Sequence, residues 1–122
     1  MVKALFDTNI LIDYLNGADQ ARAELARFDD RAISLVTWME VMVGATSATE
    51  VPIRRFLASF DNLAVDVPVG ERAVSLRQQH RIKLPDAIVW ATAQVHGRIL
   101  VTRNTKDFST VEPGIRIPYA LS

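Results

Sequence analysis

Apolar and polar residues alternate in two distinct rhythms along this chain, and the changes of rhythm mark its elements. Residues 2–6 are apolar apart from Lys3 and stop at Asp7, the pattern of a short buried strand. Thr8 and Asn9 follow as capping types, after which Ile10, Leu11, Tyr14 and Leu15 recur at helical spacing until Asn16-Gly17 stops them. Residues 19–28 predict a second helix with Ala21, Leu25 and Phe28 on one face, and Asp29-Asp30 turns the chain into a strand over 32–36. Thr37 is placed to cap an unusually apolar helix over about 38–45 that contains Glu40. A helix over about 51–60 directs Ile53, Phe56, Leu57 and Phe60 inward, and residues 63–67 alternate as a strand does. Residues 69–80 are amphipathic, with Val69, Ala73, Leu76 and His80 in register and Arg72, Arg77 and Gln79 outside. Leu84-Pro85-Asp86 opens a nearly continuous apolar helix that runs to about residue 95 and closes at His96-Gly97. Residues 99–102 predict a strand, 103–108 a loop, and 115–118 an edge strand.

Strands alternating with helices through short connections predict an α/β fold: a parallel central sheet of four to five short strands with helices on both faces. The 122 residues show no repeat, low-complexity tract or linker, so residues 1–122 read as a single domain. In open parallel sheets ligands bind outside the carboxyl ends of the strands. Asp7 directly follows the first strand, and Thr102 to Asp107 follow a late one, so opposite ends of the sequence point to one rim.

Composition narrows the chemistry. There is no cysteine, which excludes disulfides, thiolate metal sites and cysteine nucleophiles. No apolar run approaches the roughly 20 residues of a membrane span, and the N-terminal stretch lacks a secretory core, so no membrane partner and a cytoplasmic location are expected. The net charge is zero, yet 11 of the 14 basic residues are Arg, the better phosphate fork, so local basic patches remain compatible with it.

Four acids, Asp7, Glu40, Asp86 and Asp107, each lie beside or inside an apolar segment. Each has an ordinary explanation alone: Asp7 as a helix cap, Glu40 on an exposed stripe, Asp86 favouring a helix N-terminus, Asp107 in a turn. Together they require all four explanations to hold at once. Carboxylates brought near a core are costly unless a cation or donors compensate them, and a hard divalent metal is the usual solution when several converge. Rival chemistries lack support. There is no Gly-rich phosphate loop and no G-x-S-x-G turn, and His80 and His96 lie at helix ends.

At these residues the chain resembles the PIN-domain family, and within it the VapC-type toxins of bacterial toxin–antitoxin pairs. The matching pieces are Phe6-Asp7-Thr8-Asn9-Ile10-Leu11-Ile12-Asp13, then Met39-Glu40-Val41 with Gly44, then Leu84-Pro85-Asp86-Ala87-Ile88, and Leu100-Val101-Thr102-Arg103-Asn104-Thr105-Lys106-Asp107-Phe108. The resemblance implies a PIN-like fold and a Mg²⁺- or Mn²⁺-dependent endoribonuclease whose centre is Asp7, Glu40, Asp86 and Asp107. It further implies an RNA substrate, a co-encoded antitoxin protein and a homodimer. Many PIN domains carry an acid directly after the last strand, where this chain has Asn104, with Asp107 three residues on.

Oxygen ligands suit Mg²⁺ or Mn²⁺. Such a site predicts in-line phosphodiester hydrolysis leaving a 5′-phosphate and a 3′-hydroxyl. Asp7 and Asp86 are the expected main ligands, with Glu40 and Asp107 holding metal or its waters. Thr8, Asn9, Thr102 and Asn104 are the expected supporting residues. Arg72, Arg77, Arg81, Arg103 and Lys106, with Lys83 and Arg98, are candidates to line a groove for a single strand. A housekeeping RNA-processing nuclease and a non-catalytic metal- or partner-binding module are the alternatives. Asn104 is the one feature that favours the second of these.

Overall fold

The computed structural model describes residues 2–121. Strands β1 (Lys3–Phe6), β2 (Asp30–Ser34), β3 (Asp61–Leu63), β4 (Ile99–Val101) and β5 (Ile115–Arg116) form one sheet in the order β3-β2-β1-β4-β5. Every neighbouring pair is parallel. Helices α1 (Thr8–Leu15), α2 (Asp19–Ala26), α3 (Leu35–Val43), α4 (Glu50–Leu57), α5 (Val67–His80) and α6 (Leu84–Val95) connect them.

Period-two alternation in the strands divides the core. Ala4, Phe6, Ile33 and Val101 face one side and pack with Ile10 and Leu11 of α1, Leu25 of α2, Val41 of α3 and Leu57 of α4. Leu5, Ala32 and Leu100 face the other side and pack with Val69, Ala73 and Leu76 of α5 and with Ala87, Trp90 and Ala91 of α6. On the first side Phe6 meets Phe28 and Phe60 edge-on, with ring centroids 5.7 and 6.0 Å away.

The chain builds β1, β2 and β3 outward in one direction, then returns to lay β4 and β5 on the other side of β1. The switch point is therefore the crevice between the carboxyl ends of β1 and β4, where Phe6 pairs with Val101. Asp7 and Thr102 are the first residues beyond those two ends.

Two boundaries differ from the sequence pattern. The strand expected over 32–36 ends at Ser34, whose hydroxyl accepts a hydrogen bond from the Val36 amide at 3.2 Å and caps α3. Thr37 is thus inside the helix rather than its cap. Leu35 and Val36 favour strands locally, but a small capping side chain and packing on the sheet override that preference. The strand expected over 63–67 is instead Asp61–Leu63. Asp66 accepts from the Val69 amide at 3.2 Å and, with Pro68 in the first turn, starts α5 two residues early. Val65 and Val67 consequently remain exposed. Helices α2 and α4 also end short of Phe28 and Phe60, which pack from the following turns. Among the described residues no helix is long and apolar enough to cross a membrane.

Because Phe6 is fully buried between two other aromatic rings, Phe6→Ala is expected to destabilise the protein by about 3–5 kcal/mol. Urea denaturation with an unchanged m-value checks it.

Candidate active site

Asp7 ends β1 and caps α1 in one residue, and its carboxylate is only 5% exposed. Three donors converge on it: the Thr8 amide at 2.8 Å, the Thr102 hydroxyl at 2.8 Å and the Asn9 side-chain amide at 3.2 Å. Burial nevertheless raises its pKa, a shift that these donors oppose and that the negative charge of Glu40 reinforces.

Glu40 projects from the exposed face of α3. The Thr8 hydroxyl donates to its Oε1 at 2.6 Å, and the buried Thr37 hydroxyl lies 3.1 Å from that same Thr8 oxygen. Thr8 therefore ties the start of α1 to α3. Asp86, in the first turn of α6, approaches from the opposite layer and is half-buried. Its pKa is pushed up to about 6, first by desolvation and then by the negative charges of Asp7, Asp107 and Glu40. All four acids are thus close enough to feel one another, although they come from four separate segments.

Asn104 and Asp107 play different parts in the geometry. The Asn104 side-chain oxygen accepts from the Lys106 and Asp107 amides at 3.1 and 3.2 Å, and its Nδ2 donates to Asp107 Oδ2 at 3.0 Å. Its own amide donates to Thr102 Oγ1 at 3.1 Å. Asn104 folds the loop and steadies the Asp107 carboxylate, one of the three acids that Asp86 senses.

Two buried acids escape notice in the sequence. Asp13 receives a forked pair from Arg103, at 2.7 and 2.9 Å, and a bond from the Tyr119 hydroxyl at 2.8 Å. Glu24 receives a similar fork from Arg116, at 2.6 and 3.0 Å. Spacing could have exposed both: Asp13 is one turn beyond Asn9 on α1, and Glu24 lies three residues after the inward Ala21. The Arg103 amide also donates to Asn9 Oδ1 at 3.1 Å. The Asp13–Arg103 pair therefore pins the β4 exit to α1, between the partners of Asp7 and those of Asp107. Tyr119 is half-buried, and burial, with the hydrogen bond to Asp13 and its charge, raises the pKa of its hydroxyl.

Several candidate groove cations are occupied elsewhere. Arg103 is committed to Asp13, and Arg98 to the Ala4 carbonyl and Asp30. Arg72 donates to Gln94 Oε1, and Arg77 to the Ile82 carbonyl. Lys106 is exposed in the Asp107 loop, and Arg81 closes α5 in the left-handed region at φ 57°. Trp90 packs within one core and Trp38, half-buried, against the other.

Among the described residues no three Asp, Glu or His side chains gather tightly enough to cage a metal ion by themselves. In kind, four carboxylates with no Lys or Arg paired to any of them among the described residues are a donor set for a hard divalent ion.

With this geometry in hand, three comparisons locate the chain among known proteins. The PIN domain family model matches residues 4–112. The curated Ribonuclease VapC10 of Mycobacterium tuberculosis is 34% identical over 125 residues, covering 96% of this chain and 93% of that protein. Among solved structures, a toxin–antitoxin complex from Klebsiella pneumoniae contains a chain with 49% identity and a TM-score of 0.93, covering 98% of this chain and 100% of its own. FitAcB from Neisseria gonorrhoeae shares 22% identity at a TM-score of 0.81, covering 97% of this chain and 99% of that one, a likeness of fold alone.

Two predictions follow from the electrostatics. The folded Asp86 carboxyl keeps its proton up to about pH 6, whereas an unfolded Asp loses it near 3.8, so stability falls as pH rises between these values. In chelator at pH 7, Asp86→Asn should therefore stabilise the protein by about 1–2 kcal/mol, discounted for partial solvation, and the gain should vanish near pH 4. Asp13→Ala should instead destabilise by about 3–5 kcal/mol, because it strands the Arg103 guanidinium and the Tyr119 hydroxyl. Thermal melts of both variants across pH check the opposite signs.

Proposed function

The chain belongs to the PIN domain family, and from that premise we propose that it is a divalent-metal-dependent endoribonuclease, the toxin of a VapBC-type toxin–antitoxin module. The observation that carries this reading is the convergence on Asp86 of Asp7, Asp107 and Glu40, acids from distant parts of the chain whose charges add to the desolvation that pushes its carboxyl up to about 6. A structural acid is ordinarily compensated by a cation, as Asp13 and Glu24 are here. The four at the switch point have none, and an exogenous cation is the remaining partner.

Asp7 and Asp86 are the main ligands in this reading, with Glu40 and Asp107 holding metal or its waters. Mg²⁺ usually retains several waters, so an incompletely closed donor set suits it. The ion, when bound, supplies positive charge opposite the scissile phosphate and acidifies water at the site. The chain's own residues do the orienting. Asn9 and Thr102 fix the Asp7 carboxylate, Asn104 fixes Asp107, and Thr8 holds Glu40 through Oε1. The other oxygen of Glu40 has no protein donor among the described residues, and in this reading it accepts the proton of an attacking water. In-line hydrolysis then leaves a 5′-phosphate and a 3′-hydroxyl.

The partners follow from the relatives. The Klebsiella pneumoniae structure is a toxin–antitoxin complex and VapC10 is a ribonuclease, so RNA and an antitoxin protein are the expected partners here. Met39 and Val43, exposed on α3 at 46% and 85%, offer an apolar face for the expected homodimer.

Purified protein, freed of antitoxin, is expected to cut a mixed RNA pool in Mg²⁺ or Mn²⁺ but not in chelator, leaving 5′-phosphate ends. Asp7→Asn and Asp86→Ala should lose cleavage by at least 100-fold while staying folded. Mn²⁺ should also raise the melting temperature of the unsubstituted protein and not that of Asp86→Ala. Undiminished cleavage by either variant would sink the assigned centre.

A further inference from the structure

Between Glu71 and Asp86 the chain carries Arg72, Arg77, His80, Arg81 and Lys83 and no acidic residue. Arg72, Arg77, Arg81 and Lys83 form no ion pair among the described residues, in contrast to Arg98, Arg103 and Arg116, which are held by acids, although other surface cations such as Arg22 and Arg55 are also without one. The segment runs from the first half of α5 through the turn after it to the start of α6, with Arg77, Arg81 and Lys83 about the turn and Asp86 in the first turn of α6. Packing places the same segment beside the Asp107 loop. The His80 ring lies 4.7 Å from Trp90, and Trp90 lies 5.6 Å from Phe108, the neighbour of Asp107.

A groove of about 550 Å³ opens in this segment, lined by Val74, Arg77, Gln78, Arg81 and Leu84. Its apolar floor is unusual for a surface turn, with Val74 52% and Leu84 45% exposed. Cations at a helix C-terminus compensate the helix dipole, which accounts for Arg77 and Arg81. It does not account for Lys83 beyond the helix or for two exposed aliphatic side chains between the guanidinium groups. Arg81 is the one non-glycine residue held at positive φ among the described residues, and the Arg77 fork is fixed by the Ile82 carbonyl at 2.6 Å, so the turn presents its cations from a set backbone.

We propose that this α5–α6 groove is a binding subsite for one nucleotide of a single-stranded RNA beside the scissile phosphate, with Arg81 and Lys83 on the backbone and a base lying on Val74 and Leu84. The inference rests on the ribonuclease reading and deepens it. Charge complementarity chooses the occupant: an acid-free run of cations fits a polyanion, and apolar contacts between planar guanidinium groups fit a base. A nuclease centre built only of carboxylates repels its substrate and needs cations at its margin. Arg103, Arg98 and Arg116, held by acids, do not supply them.

The test uses fluorescence anisotropy with a labelled oligouridylate of roughly 10 nucleotides, in magnesium, on Asp7→Asn protein that binds without cutting. Arg81→Asn with Lys83→Gln is the main variant, since Asn tolerates the left-handed conformation that Arg81 adopts. It should bind about tenfold more weakly, and its slope of log affinity on log salt should flatten by about 1.4, for two phosphate contacts on a single strand. Leu84→Ser should weaken binding severalfold at every salt concentration without changing the slope. Circular dichroism and melting confirm that the variants are folded. Affinity and slope unchanged in both variants, with the parent binding RNA, would overturn the subsite alone. Unchanged RNA affinity alongside failure to co-purify with co-expressed antitoxin would give the groove to a polypeptide and overturn it likewise. A parent that binds no RNA, together with no cleavage by the unsubstituted protein, would overturn the ribonuclease reading itself.

Discussion

Burying the Asp7 carboxylate at the end of the central strand is the constraint from which the rest of this molecule can be argued. A carboxylate there loses most of its hydration, and only well-placed donors make that tolerable. They come from both sides of the crevice: Thr8 and Asn9 at the start of α1, and Thr102 at the exit of β4. The parallel pairing of β1 with β4 is what brings residues 95 positions apart into this contact. Asn9 also donates to the Thr102 hydroxyl oxygen, at 3.2 Å, so the two flanks are bonded to each other as well as to Asp7. Any shift in strand register would strand the charge.

Around this point the protein treats its buried acids in two ways. Asp13 and Glu24 are each gripped by an arginine fork, and with Tyr119 they tie the loop after β4 and the C-terminal segment to α1 and α2. Asp7 and Asp86, with Glu40 and Asp107 beside them, have hydrogen-bond donors or partial solvent but no cation. The first group removes its charge from play. The second keeps its charge at a cost: desolvation first, and neighbouring acids after it, raise the pKa values of Asp7 and Asp86. Sites that retain such strain are where a binding function is to be sought. Pinning the β4 exit through Asp13 and Arg103 gives the repelling carboxylates a firm base.

The same sorting applies to the cations. Arg98, Arg103 and Arg116, paired with acids, brace the sheet and its edges, whereas Arg77, Arg81 and Lys83, without acidic partners, lie about the α5–α6 turn near Asp86 in the chain. An acidic centre with unpaired cations near it in the chain is the charge pattern on which the proposed reading rests.

Local sequence determined a good deal here. Capping residues, helical spacing and short apolar runs located the helices and strands, because these signals act within a few residues. Asp7, Glu40, Asp86 and Asp107 stood out because each carboxylate interrupts an apolar segment. Where two local preferences competed, the pattern erred: Leu35 and Val36 read as strand until Ser34 capped the helix, and Val65 and Val67 alternated without pairing. What sequence could not settle was which charges would be neutralised. Arg103 looked like a groove cation and proved to be the partner of Asp13, Arg98 proved to hold Asp30, and Asn104 proved to hold Asp107. The two arginine pairings join residues 90 and 68 positions apart, and only the strand order that sets β4 beside β1 decides which of them meet, whereas the Asn104–Asp107 bond is local to one loop.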